Sequence, residues 1–350
     1  MNHMDRHLRD LLDAAAGEPP HQVTVEAVRR RVTRHRARRY LAGVAAVAVI
    51  AVIIPAGIKT LGHTPRPSAA GQRPAAAPVG PAVGAYLGVF ENGPGRRPPP
   101  GYGPIEEFAK AAGQPPNLAG YYSLWEQPFA LSFADSMYRH GIVPLVQILP
   151  VGVSLSAIAS GSYDGYLRAY AEAVRAYGHP VVIGLGPEMN ANWWSYGYTR
   201  VPAATFVAAW RHVVTVFRVA GADNATWLWT VAADGAGTGP ISAWWPGATY
   251  VTWVGIEGFY TRPSDTFNSV FVPTVDQVRT LAAKPILLSQ TGVARNANPG
   301  TNIRNLFDGI ARYHLLGLVW LDSDQWRIEG SPSAERAFQA EVSGLRTVRP

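Results

Sequence analysis

The sequence contains no cysteine. Disulfide staples and thiolate metal sites are therefore excluded, while compartment stays open, because a chain of 350 residues can bury a core without covalent help. Other signatures are missing too. The nine histidines show no HExxH or comparable ligand spacing, so no metal is expected. There is no Gly-x-Ser-x-Gly elbow and no phosphate-binding loop, and no cofactor is expected. The net charge of +7 does not indicate a polyanion partner either. Residues 1–84 hold 12 Lys/Arg against 5 Asp/Glu, whereas residues 85–350 hold 19 of each sign. The large C-terminal part is neutral, and nucleic acid is not an expected partner.

One long uncharged run is present, LAGVAAVAVIAVIIPAGI at 41–58. As a helix it would cover about 27 Å, close to the hydrocarbon thickness of a bilayer. Residues 29–39 carry seven arginines, and after the run only Lys59, Arg66 and Arg73 appear before residue 84. That asymmetry predicts a single membrane anchor over 41–61 with a cytoplasmic basic segment, 1–40, before it. A cleaved signal peptide would need a charged region reaching to residue 40; a buried soluble helix fits less well too, since both flanks are hydrophilic and the run has no polar face. The Pro/Ala/Gly-rich stretch 62–84 reads as an extended spacer. A domain over 85–346 is expected beyond it, outside the cell membrane.

Within that domain short apolar runs alternate with amphipathic helical patterns. Candidate strands are 86–90, 118–122, 143–148, 181–185, 226–230, 250–256, 285–288 and 316–321. Helical patterns occupy 163–177, 203–219 and 301–313, and the pattern after the fifth strand is the weakest. Eight strands with crossovers in about 260 residues predict a (β/α)8 TIM barrel. An open doubly wound sheet is the alternative, but no Gly-rich loop follows the first strand.

In a barrel the chemistry sits after the strands. Ser-Leu-Trp-Glu-Gln (123–127) follows strand two and Gly-Pro-Glu-Met-Asn-Ala-Asn-Trp-Trp (186–194) follows strand four. Glu-Gly-Phe-Tyr (257–260) follows strand six, Gln-Thr-Gly (290–292) strand seven, and Trp-Leu-Asp-Ser-Asp-Gln-Trp (320–326) closes strand eight. Flat rings beside carboxylates suit a sugar site: aromatics stack on pyranose faces, amides bind hydroxyls, and a carboxyl group protonates the glycosidic oxygen. Each of these aromatics could equally be a core residue, since large rings are mostly buried. Tyr122, Trp125, Asn190, Trp193, Trp194, Tyr260 and Trp320 are the candidate sugar-binding residues. Arg211 and His212 lie in a helical pattern and read as packing or surface residues.

Gly186-Pro-Glu-Met-Asn-Ala-Asn-Trp-Trp-Ser-Tyr-Gly resembles the signature of glycoside hydrolase family 26, the β-mannanase family. So do Ala209-Trp-Arg-His-Val, Asn224-Ala-Thr-Trp-Leu-Trp, Trp253-Val-Gly-Ile-Glu-Gly-Phe-Tyr, Pro285-Ile-Leu-Leu-Ser-Gln-Thr-Gly and Val319-Trp-Leu-Asp with Trp326-Arg-Ile. The resemblance runs in order from about residue 86 to residue 336. It implies a (β/α)8 fold and retaining hydrolysis of a β-linked polysaccharide, with mannan the usual partner and mixed-linkage glucan or xylan in some members. By motif position Glu188 matches the general acid/base, and the nucleophilic glutamate falls on Gln290. A retaining mechanism needs two carboxyl groups about 5–5.5 Å apart, one of them ionised to attack. An amide does not supply that charge, so polysaccharide binding with impaired hydrolysis is expected. Pro187 in place of a histidine and Phe259 in place of a tyrosine point the same way. The competing expectation is an active glycanase, with Glu188 as acid/base and the missing charge supplied by Glu257, Asp234, Asp322 or Asp324, or by a substrate acetamido group.

Overall fold

A computed structural model of the chain describes residues 77–80, 82, 84, 86–90 and 101–348. The expected basic segment, the anchor at 41–61 and most of the spacer lie outside the described residues. Among the described residues no helix is long and apolar enough to cross a membrane.

The apolar runs become eight parallel strands closed into a barrel in sequence order. They are β1 Tyr86–Phe90, β2 Leu118–Leu124, β3 Val143–Leu149, β4 Val181–Leu185, β5 Ala225–Ala232, β6 Trp253–Tyr260, β7 Ile286–Val293 and β8 Gly317–Leu321. Closure is made by β8 pairing with β1, Tyr86 opposite Gly317 and Phe90 opposite Leu321. Every residue of β3, β4, β5 and β7 is buried, which is why these runs are continuous rather than alternating in hydropathy.

The outer layer holds α1 Tyr102–Ala112, α2 Leu131–Arg139, α3 Leu155–Ala159, α4 Asp164–Tyr177, α5 Ala203–Val219, α6 Phe267–Val270, α7 Val272–Leu281, α8 Pro299–Arg312 and α9 Pro332–Val342. Apolar residues three and four apart turn one face of each long helix inward. On α4 these are Leu167, Tyr170, Ala171, Val174 and Tyr177. Gly178, at φ 72°, takes the left-handed conformation that ends this helix.

Three expectations need correction. No α-helix covers β5; two 3₁₀ turns, Ser242–Trp244 and Ala248–Tyr250, stand there instead. Gly235, Gly237, Gly239, Pro240, Pro246 and Gly247 in this connection disfavour a continuous helix. Trp245 packs on Trp229 with ring centroids 5.1 Å apart and Trp244 on Phe206 at 5.7 Å, so rings fill the space a helix would occupy. β6 starts at Trp253 rather than 250, because the second 3₁₀ turn takes the preceding residues. β7 continues to Val293, so Gln290 lies within a strand and not after its end. A register irregularity opposite Gly255 and Glu257 brings Gln290 alongside Glu257.

Inside the barrel the side chains form layers. Tyr86 and Trp253 meet near the N-terminal ends, with ring centroids 5.0 Å apart. Above them Gln147 Nε2 donates to Thr230 Oγ1 at 2.9 Å. Gly184 makes room for that amide, since a Cβ there would lie 1.9 Å from Gln147 Oε1. Gly120 does the same for Phe90, whose ring would be 2.2 Å from an added Cβ. The top layer opens at the C-terminal ends of the strands.

Candidate active site

Glu188 stands three residues past β4, at φ 56°. A left-handed glutamate is strained backbone, held here because its N–H donates to Thr230 C=O at 3.0 Å. The loop is fixed further by Asn190. Its amide donates to Ala232 C=O at 3.0 Å and accepts from Ala232 N–H at 2.8 Å, clipping the loop to the end of β5. Both adjacent indoles then point back at the carboxyl group. Trp193 Nε1–H donates to Glu188 Oε2 at 2.8 Å and Trp194 Nε1–H to the same oxygen at 3.0 Å. Trp194 is buried and stacks on Tyr196, with centroids 5.4 Å apart, while Trp193 is half-buried.

Across the mouth, Glu257 on β6 and Gln290 on β7 are register partners. Tyr122 on β2 donates its hydroxyl to Gln290 Oε1 at 3.2 Å. Gln290 Nε2 and Glu257 Oε1 are buried and have no protein partner. Burial first, then the charges of Glu257 and Glu188, push the Tyr122 hydroxyl well above the ordinary tyrosine range, against the bond to Gln290. Four side chains from β2, the β4 loop, β6 and β7 thus meet at one mouth.

Burial pushes both carboxyl groups up. For Glu188 the two indole bonds work against it. Glu257 is pushed well above the usual carboxylate range, by burial first and then by the charge of Glu188. Both carboxyl groups therefore hold their protons more tightly than exposed glutamates do, Glu257 by burial and the charge of Glu188, Glu188 by burial against its two indole bonds. Such a mouth offers a carboxyl group bonded by two indole donors, a second carboxyl group raised further by burial, and one neutral amide. Its donors and acceptors suit uncharged hydroxyl-bearing ligands, and position 290 supplies an amide where attack on carbon would need a carboxylate.

Several residues expected to touch sugar turn elsewhere. On β6 the inward positions are Trp253, Gly255, Glu257 and Phe259, so Tyr260 points outward, packs on Phe271 and donates to Asn305 Oδ1 at 3.1 Å. It cannot stand in for the tyrosine replaced by Phe259. Trp320 is likewise on the outward face of β8, against Phe338 at 5.1 Å, with its N–H on Trp326 C=O at 2.9 Å. The Asn190 amide is spent on Ala232. Trp125 is buried between Tyr163 and Tyr166, with centroids 5.4 and 5.1 Å away. His212 bonds Asp164 Oδ1 at 2.6 Å and Arg211 donates to Pro246 C=O at 2.7 Å, both in the outer layer. Of the spare carboxylates, Asp234 is exposed and Asp322 is bound within the β8 loop; the Asp324 side chain lies outside the described part.

Two residues named only within motifs, Phe259 and Trp326, also line the mouth. Phe259 and Gly292 form the rung above Glu257 and Gln290. Trp326 rests on that rung, 4.6 Å from the Phe259 ring. Period-two counting from Glu257 along β6 picks out Phe259; the stretch 320–326 after strand eight contains Trp326, but not its packing on that ring.

No family model matches the chain. Endoglucanase H of Acetivibrio thermocellus is 26% identical over 280 residues, covering 74% of this chain and 30% of that protein. Beta-1,3-xylanase TXYA of a Vibrio species is 26% identical over 174 residues, covering 46% of this chain and 36% of the xylanase. The chain thus spans about a third of the length of the curated relatives it matches. Among solved structures, a Cellulomonas fimi endo-beta-1,4-mannanase double mutant superposes with a TM-score of 0.60 at 16% identity, over 76% of this chain and 72% of that one. The family 26 endo-beta-1,4-mannanase catalytic domain of Bacillus sp. JAMB-750 also gives 0.60, at 13% identity, over 76% and 87%. The fold is that of the family 26 glycoside hydrolases. In this family 26 fold the chain carries Glu188 after β4 and an amide, Gln290, on β7.

Proposed function

We propose that residues 85–346 form a family 26 domain that binds a β-linked polysaccharide of mannan or related type and hydrolyses it poorly. The observation that carries this reading is the amide at position 290. Gln290 is buried, bonded by Tyr122 and paired across the ladder with Glu257, and as an amide it has no charge with which to attack. Loss of one neutral donor in an oxyanion hole already costs about 10²–10³ in rate, and loss of the nucleophile's charge should cost no less. The test incubates the full chain and its Gln290→Glu variant with β-mannan and mixed-linkage glucan. Binding without release of reducing ends by the wild type, and release by the variant, supports the reading. Binding of neither polymer removes it.

A second reading rests on Glu257, which faces into the mouth beside Glu188. If Glu257 gives up its proton to become the second carboxylate, the wild type cleaves and Glu257→Gln abolishes cleavage. The uncharged run 41–58, preceded by seven arginines, supports anchoring by a single helix over 41–61 with the domain outside the cell. Release of the domain from intact cells by added protease tests that placement.

A further inference from the structure

The loop after β8 contains a pair of acids that the mouth itself does not use. Asp322, the first residue past β8, is fully buried. Its N–H donates to Phe90 C=O at 2.8 Å and its Oδ1 accepts from Ile328 N–H at 3.0 Å, so one carboxyl group spans the loop from end to end. Its second oxygen, Oδ2, is buried and meets no N–H or hydroxyl donor among the described residues. Glu329 Oε2 is in the same condition, and its carboxyl group, one residue past the Ile328 N–H that Asp322 accepts from, acts on Asp322 through a side-chain hydrogen bond and its charge. A proton on one of these carboxyl groups, given to the other, supplies the donor that both oxygens lack.

The loop they close carries Trp326. Its C=O holds the Trp320 indole, and its ring lies on Phe259 and against Gly292, where an added Cβ would be 3.1 Å away. Phe259 and Gly292 form the rung directly above Glu257 and Gln290. The position of this loop therefore sets one wall of the mouth.

We infer that Asp322 and Glu329 are positioning residues that share one proton, and that this shared proton latches the β8 loop, with Trp326, against the mouth. Loss of the proton would set two like charges face to face in a buried place and release the loop. Burial first, then the bond to Glu329 and its charge, raise Asp322 to about 8, against the opposing Ile328 N–H and Arg327. The proton therefore stays bound at neutral pH and leaves in mildly alkaline solution. The other charged groups beside the pair are Arg295, which donates to Glu329 C=O, and Glu335 on α9, which accepts from Gly330 N–H. Neither contributes a donor to Asp322 Oδ2. The consequence for ligand binding rests on the polysaccharide reading above; the latch does not.

The test follows tryptic cleavage after Arg327 in the full chain by mass spectrometry, since a cut there requires the surrounding loop to open. Asp322→Asn replaces the protonated acid with an amide that still accepts from Ile328 and donates to Glu329. The ratio of wild-type to Asp322→Asn cleavage should rise about 10-fold between about pH 7 and about pH 9, as the proton is titrated off. Should Asp322→Asn fail to fold, Glu329→Gln supplies the missing donor from the other side and should be equally insensitive to pH. A wild-type rate that tracks either variant across this range overturns the latch. Mannan affinity measured in parallel separates the two ideas: a pH-dependent loop on a chain that never binds mannan leaves the latch standing and removes the polysaccharide reading.

Discussion

At position 290 a single atom separates two behaviours. A glutamate there would face Tyr122 and Glu257 with a charge, whereas the glutamine accepts from Tyr122 and leaves its Nε2 without a protein partner. On the other side of the mouth both indoles converge on Glu188 Oε2. Hydrogen bonds to a charged group contribute about 1.5–3 kcal/mol each. Trp194→Phe should therefore raise the titration of Glu188 further, because it removes a donor that favours the anion. Carbon-13 NMR of labelled glutamate in wild type and variant checks this, and an unmoved titration would contradict it. Asn190 makes the contrasting case. Asn190→Ala loses both bonds to Ala232, so it should lower stability by about 1–3 kcal/mol, read by urea unfolding. Its effect on the ligand is expected only through displacement of Glu188.

At the scale of elements, the strands were legible where burial on both faces made continuous apolar runs, as in β3 and β4. The ends were not. β7 reads as a strand only to Leu288 because Ser289, Gln290 and Thr291 look like a loop, yet the ladder to β6 continues through them. Glu188 and Gln290 were readable from motif position, while the inward and outward assignment of Tyr260 and Trp320 was not. One residue of register reverses which face an aromatic serves, and a motif does not record register. Glu257 was recognised as a spare carboxylate, but its pairing with Gln290 depends on the β6–β7 irregularity, which has no sequence signature. Packing between strands gives its own prediction. In Gly184→Ala the new methyl would sit 1.9 Å from Gln147 Oε1, forcing the amide off Thr230. Overpacking of this kind costs about 1–3 kcal/mol, and Gln147→Ala in the same chain should recover part of it. Additive losses in the double variant would show that the two residues do not compete for space.

For the whole molecule, the buried acids set the response to pH. Glu188, Glu257 and Asp322 are all raised by burial, Asp322 to about 8. An acid raised on folding holds its proton longer in the native state than in the unfolded chain. Stability therefore falls as pH climbs from the unfolded value through the raised native one, and levels off above it. Tm should decline from about pH 5 to about pH 9, and Glu257→Gln should flatten part of that slope. A flat wild-type profile would contradict the burial of these protons. The balanced charge of residues 85–350 leaves ligand recognition to hydroxyls and rings rather than to long-range attraction, so added salt should change polysaccharide binding little. The central claim is that the barrel lacks one ionised carboxylate at position 290. Reducing-end release from β-mannan by the full chain and by Gln290→Glu tests it most directly. The account predicts a rate in the variant at least about 10²-fold above the wild type, lost again as pH rises through the raised value of Glu188, which must be protonated to act as the acid. A wild type already cutting as fast as the variant would contradict it.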